Sequence, residues 1–188
     1  MKQKQIIPIL LAVLAATLAC TIFVGGPDYP DQTIPVSPEA VTSLQEQIKA
    51  AVESGVASGG VVTLRINETQ LTSYLALKNP DDPSPMFTEP QVYLRDGQMR
   101  IYGKTQQGNF VANIGIVLAV GLDEAGLPQL QLISADFGPF PLPEGLNDAI
   151  TAIIEEAYTG ALGPVATGFR LQSITIADGV MTVVGQIR

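Results

Sequence analysis

The sequence predicts an α+β domain, with long helices packed on, or wrapped by, a curved antiparallel sheet. Three observations carry this. Apolar periodicities follow one another in the order α-β-α-β-β-β-β-α-β-β along the chain. Asp96-Gly97 and Asp178-Gly179 each sit between two short apolar runs, the strongest local signal for a tight hairpin. The stretch from Phe110 to Leu122 alternates large and small side chains with a two-residue period and carries no charge.

The elements follow in order. Met1 to Cys20 has Lys2 and Lys4, then an uncharged apolar run, then small residues, the pattern of an export signal. Cys20 is the only cysteine of the 188 residues and follows Leu18-Ala19, so residues 1–19 resemble a lipoprotein signal with Cys20 as the lipidated residue. Thr17 stands where such signals usually carry leucine. An uncleaved anchor over residues 6–24, long enough to span a bilayer, and a plain secretory signal are the alternatives. All three place the rest of the chain outside the cytoplasm, and the first two hold it at the membrane.

Residues 20–36 contain Gly25-Gly26 and three prolines without periodicity, and read as a tether before a single domain over residues 37–188. Ser37-Pro38-Glu39 supplies an N-cap, a first-turn proline and an early acid. Val41, Leu44, Ile48 and Val52 then recur at helical spacing, up to about Gly55. Gly60 to Ile66 is rich in strand formers. Asn67 and Gln70, three apart, form a capping-box pattern that opens a short helix with Leu71, Tyr74, Leu75 and Leu77.

Lys78 to Met86, with three prolines, must be a loop. Pro90 to Arg95 and Gln98 to Lys104 form a hairpin around Asp96-Gly97. Phe110 to Leu122 and Leu127 to Ala135 complete a four-strand meander. Phe137 to Pro143 breaks the sheet, and Glu144 opens a helix with Leu146, Ile150, Ile153, Ile154, Ala157 and Ala161 on one side. Phe169 to Ala177 and Val180 to Ile187 close the chain as a second hairpin.

Composition removes whole classes of function. With no histidine and no cysteine besides Cys20, Ser-His-Asp and Cys-His catalysis and histidine-ligated zinc are closed off. No glycine cluster carries the Lys-Ser/Thr of a phosphate loop. Beyond Cys20 the chain has eight basic against eighteen acidic residues, a poor balance for nucleic acid. The acid pairs Asp81-Asp82, Asp123-Glu124 and Glu155-Glu156 fall where solvated loops or helix faces are expected. Neither a metal nor a cofactor is expected, and the chain does not read as an enzyme.

The strand from Phe110 to Leu122 raises the functional question. One face presents Phe110, Ala112, Ile114, Ile116, Leu118, Val120 and Leu122; the other presents Val111, Asn113, Gly115, Val117, Ala119 and Gly121. The large face suits a core under helices. The small face leaves concave room for another apolar body, either the chain's own helix or a lipid tail.

Several segments in a fixed order resemble the exported LmeA-like and YceB-like bacterial proteins. They are Asn67-Glu-Thr-Gln-Leu-Thr-Ser-Tyr-Leu75 after a strand, Tyr93-Leu-Arg-Asp-Gly-Gln-Met99, Pro139-Phe-Pro-Leu-Pro143, and Leu171 to Gly185 with Asp178-Gly179 inside it. The resemblance covers about residues 60–188 and implies a single module of the tubular lipid-binding (TULIP-like) type, with an apolar groove between sheet and helix. It implies a lipid or other apolar small molecule as ligand and no catalytic residues. The groove positions it suggests are Leu71, Tyr74 and Leu75 on the short helix, Ile114, Ile116 and Leu118 on the central strand, and Ile150, Ile153 and Ile154 on the last helix. Ordinary core packing is the competing reading for each, since apolar periodicity predicts burial with or without a ligand. Arg95, Arg100 and Lys104 form a local basic exception suited to anionic headgroups, or to blunting a sheet edge. A structural or interaction lipoprotein of the envelope, with a self-filled core and no ligand, is the rival to lipid binding.

Overall fold

The computed structural model of the chain describes residues 21–57, 60–78, 88–122, 128–141 and 169–187. The elements are β1 (Ile22–Phe23), α1 (Pro38–Ala57), β2 (Val61–Asn67), α2 (Glu68–Leu77), β3 (Thr88–Arg95), β4 (Gln98–Gln107), β5 (Phe110–Leu122), β6 (Pro128–Asp136), β7 (Phe169–Ala177) and β8 (Val180–Ile187). The export signal, Cys20, the loop 79–87, the turn 123–127, the three acid pairs and the helix expected from Glu144 lie outside the described residues.

The fold is α+β, with its strands in two sheets rather than one. The meander β3-β4-β5-β6 is antiparallel throughout, and the short β1 adds to the free part of the β5 edge in parallel, Ile22 opposite Phe110. A bulge between Val117 and Leu118 offsets β6 on β5 and bends the sheet. The second sheet is β2-β8-β7, also antiparallel.

Local chemistry sets the element ends. Ser37 caps α1: its hydroxyl accepts from the Ala40 amide at 3.2 Å and donates to Glu39 Oε2 at 2.7 Å. The second bond holds the Glu39 carboxyl below the usual carboxylate range. The capping box on α2 is complete, with Gln70 N–H donating to Asn67 Oδ1 at 2.9 Å and Asn67 N–H donating to Gln70 Oε1 at 3.0 Å. Both hairpin turns place Asp and Gly in the left-handed region, Asp96 at φ 54° with Gly97 at 76°, and Asp178 at 51° with Gly179 at 79°.

Those two turns also join the sheets. Gly97 N–H donates to the Ile176 carbonyl at 3.2 Å, and Gly179 N–H donates to the Leu94 carbonyl at 3.1 Å. Glu68, in the first turn of α2, binds both sides: its amide donates to Gly179 O, while its carboxylate accepts from Leu94 N–H and pairs with Arg95. The similar hairpins seen in the sequence are thus neighbours bonded turn to turn.

One hydrophobic core fills the space between. It takes Leu44, Ile48 and Ala51 from α1, Val62, Leu64 and Ile66 from β2, Val92 and Leu94 from β3, Ile101 from β4, Ile114, Ile116 and Leu118 from β5, and Met181 and Val183 from β8. Strand β2 alternates buried and exposed along its length, so the second sheet has one face to the core and one to solvent.

Candidate functional site

The β5 register sorts the meander into two faces. Ile116 stands opposite Ile101, Leu118 opposite Met99 and Leu132, and Val120 opposite Leu130; these side chains form the inner face. Gly115 stands opposite Tyr102, Val117 opposite Arg100, and Asn113 opposite Lys104, on the outer face.

On the inner face the central groove positions are deep in the core: Ile114, Ile116 and Leu118 are 2%, 8% and 1% exposed. Leu71, Tyr74 and Leu75 of α2 are half-buried against the same cluster. The structure therefore brings six of the nine suggested groove residues together, while Ile150, Ile153 and Ile154 lie outside the described residues. Beyond Leu118 the packing thins. Val120, Leu122 and Leu130 are only half-buried, and Leu132 is 39% exposed. The apolar inner face is thus less covered toward the β5–β6 end, where Val120 and Leu122 pack on the edge of the core.

The short helix buries polar side chains that its apolar pattern does not announce. Thr72 and Ser73 are fully buried and Gln70 nearly so. Each meets a partner: Thr72 Oγ1 accepts from Val92 N–H at 3.0 Å, and Ser73 Oγ accepts from Ser37 N–H at 3.0 Å. Gln70 completes the capping box. Sequence periodicity pointed to Leu71, Tyr74 and Leu75 as the buried set, because it cannot see backbone donors waiting on another element.

The outer face corrects the tether. Residues 25–36, expected to run free, cross this face as a strap from β5 over β4 to β3 and α2. Asn113 N–H donates to Gly25 O at 2.9 Å and its Nδ2 donates to Pro27 O at 3.0 Å. The Tyr29 hydroxyl donates to Glu89 O at 2.7 Å, and the Tyr93 hydroxyl to Gln32 O. Gln91 grips Ile34 from both sides, Oε1 accepting from its amide at 2.5 Å and Nε2 donating to its carbonyl at 3.3 Å. The concave room at Gly115 is filled by this strap, since a β-carbon there would lie 3.2 Å from Pro27 Cγ. Farther along the same face Gly121 has open space around it.

The three basic residues suggested for a headgroup all have carboxylate partners. Arg95 is held by Glu68 and by the Leu94 carbonyl; Arg100 Nη2 is 3.3 Å from Asp96 and Lys104 Nζ 2.6 Å from Glu89. Lys104 also lies 5.3 Å above the Tyr29 ring, and Tyr93 meets Tyr102 edge-on with ring centroids 5.9 Å apart. Burial in this cluster, with Glu89 and Tyr93 adding to it, pushes the Tyr29 hydroxyl up to about 12. Tyr93 is raised as well, chiefly by burial and then by Glu68. Among the described residues no group of three acids or other ligands is placed to hold a metal ion.

No family model matches the chain, and no curated protein matches it. Among solved structures, one described as lipopolysaccharide binding protein aligns with 80% of this chain and 47% of its own, at 10% identity and a TM-score of 0.28. The aligned part is thus about half of that protein, and likeness at this level carries no argument about ligand.

Proposed function

We propose that this is an exported, membrane-tethered, non-enzymatic protein that binds a lipid or other apolar molecule between its sheet and helices. The observation that carries the reading is the inner face of the β5–β6 pair, which stays apolar and only partly covered at Val120, Leu122, Leu130 and Leu132 along the edge of the buried core. Each methylene of an acyl chain seated there contributes ~0.8 kcal/mol. The motif order shared with LmeA-like and YceB-like proteins supports a single lipid-binding module, and envelope lipid transfer or homeostasis is the role such a module fits. Arg95 is committed to Glu68, and Arg100 and Lys104 stand on the outer face in pairs with Asp96 and Glu89, so the apolar inner face rather than these cations supplies the affinity.

The test is binding of a fluorescent polyene fatty acid to residues 21–188, which contain every described element. Leu122→Glu and Leu132→Glu, each placing a carboxylate on the half-open face, are expected to weaken binding roughly tenfold or more. Binding that ignores both substitutions contradicts the site.

The deep burial of Ile114, Ile116 and Leu118 favours a second reading, in which the chain fills its own core and works as an envelope interaction protein docking through a sheet edge. That protein takes up no lipid under any condition.

A further inference from the structure

Two charge-free stretches of this acidic chain meet at one rim. Residues 5–27 hold no charged side chain, and neither do residues 105–122, although the chain as a whole has a formal net charge of −8. The structure pairs these stretches, Ile22 with Phe110 and Phe23 with Val111, at the edge of the five-stranded sheet. Ile22 N–H donates to Asn109 O at 2.7 Å and Val24 N–H to Val111 O at 2.9 Å, so the rim is built into the sheet.

Its large side chains are turned to solvent. Ile22 is 52%, Phe23 61% and Phe110 47% exposed. Paired residues of a parallel ladder share a face, so Ile22 and Phe110 project on one side of the sheet and Phe23 on the other. The end of β4 and the turn after it, residues 105–109, add no charge beside Phe110.

The chain leading to this rim is short. Ile22 is two residues after Cys20, which allows about 7 Å of extended backbone. The strap supplies no slack, because residues 25–34 are bonded to the sheet.

We propose that Ile22, Phe23 and Phe110 form a lip that seats in the interfacial zone of the bilayer to which the N-terminal apolar run attaches the chain. An apolar edge without charge, on a body whose acids are repelled by anionic lipid, fixes which side of the domain faces the membrane. The inference rests on the membrane tether of the proposed function and is independent of the groove.

The chain has no tryptophan, so single reporters are clean. Full-length protein carrying Phe110→Trp, Phe23→Trp or Ile133→Trp is reconstituted into phosphatidylcholine vesicles, with and without brominated acyl chains. Phe110→Trp is decisive, because Phe23 is placed near the bilayer by Cys20 alone. Its emission is expected to shift to the blue and to lose most of its intensity on brominated lipid, while Ile133→Trp, about seven residues farther along the β5 direction or ~23 Å away, keeps a water-like spectrum. A water-like, unquenched Phe110→Trp overturns the lip, as does equal quenching at position 133. Flotation of the same samples separates the causes: protein absent from the vesicle fraction refutes the tether and the lip with it, whereas floated protein with an unquenched reporter refutes the lip alone.

Discussion

Pro27 lies directly against Gly115, so that a β-carbon on the glycine would come within 3.2 Å of Pro27 Cγ. This contact covers the small face of the central strand around Gly115 with the chain's own N-terminal segment. Gly115→Leu is expected to lift the strap and cost about 1–3 kcal/mol by overpacking. Gly121→Leu, with no atom within 4 Å of the added carbon, should stay within about 0.5 kcal/mol of the parent. Urea denaturation of the two variants checks the difference.

Asn113 and Gly26 form the strap's first latch. Gly26 has φ 116°, and a β-carbon on it would fall 2.2 Å from the Asn113 carbonyl oxygen, so only glycine fits. Gly26→Ala is expected to detach residues 25–27, and Asn113→Ala to cost about 1 kcal/mol through the unpaired Pro27 carbonyl. Hydrogen exchange at the Asn113 amide, now bonded to Gly25 O, should speed up in both.

Glu68 ties α2 to the hairpin turns. Its side chain is 15% exposed and accepts from Leu94 N–H at 2.7 Å while pairing with Arg95. Glu68→Ala leaves that amide without its acceptor and is expected to destabilise by about 1–3 kcal/mol. Glu68→Gln, which keeps one acceptor oxygen, should lose less. The thermal midpoints of the two variants rank them.

Alkaline pH should loosen the strap. The Tyr29 hydroxyl rises from 10.0 in the unfolded chain to about 12 when folded, first through burial and then through Glu89. A raised folded value means the contribution is complete below pH 10.0 and is lost as pH climbs from there through about 12. The mechanism is direct, since a phenolate cannot donate to Glu89 O. Absorbance at the phenolate band should show late-titrating tyrosine that is reduced in Tyr29→Phe, the remainder coming from Tyr93, which is also raised; a wild-type titration with every tyrosine near 10 contradicts this.

Local signals were legible and distant ones were not. The Asn67/Gln70 capping box, the Ser37 cap and both Asp-Gly hairpins were readable because each needs only residues within a turn of itself. The strap was not, because its partners Asn113, Tyr93 and Gln91 are 57–86 residues away and its Gly/Pro composition is also that of a free linker. Periodicity assigned Ala112, Ile114, Ile116 and Leu118 on the large face of β5 correctly to burial, but not Phe110 on the same face, which is 47% exposed. It did not separate Ile114, Ile116 and Leu118, packed by neighbours on both sheets, from Val120 and Leu122 at the thinner end. That difference depends on where β6, displaced by its bulge, comes to lie against β5. The last helix, with Ile150, Ile153 and Ile154, belongs to the part outside the described residues.

The central claim is that the β5–β6 end of this domain holds an apolar ligand. Its most direct test is native mass spectrometry of residues 21–188, exported to a bacterial periplasm and purified without detergent, followed by denaturing lipid extraction. The chain must begin no later than Thr21, because Ile22 and Phe23 are part of the sheet. The account predicts a stoichiometric adduct that releases a defined phospholipid or isoprenoid lipid, and its loss in Leu132→Glu. A bare protein mass that persists after incubation with envelope lipids contradicts it.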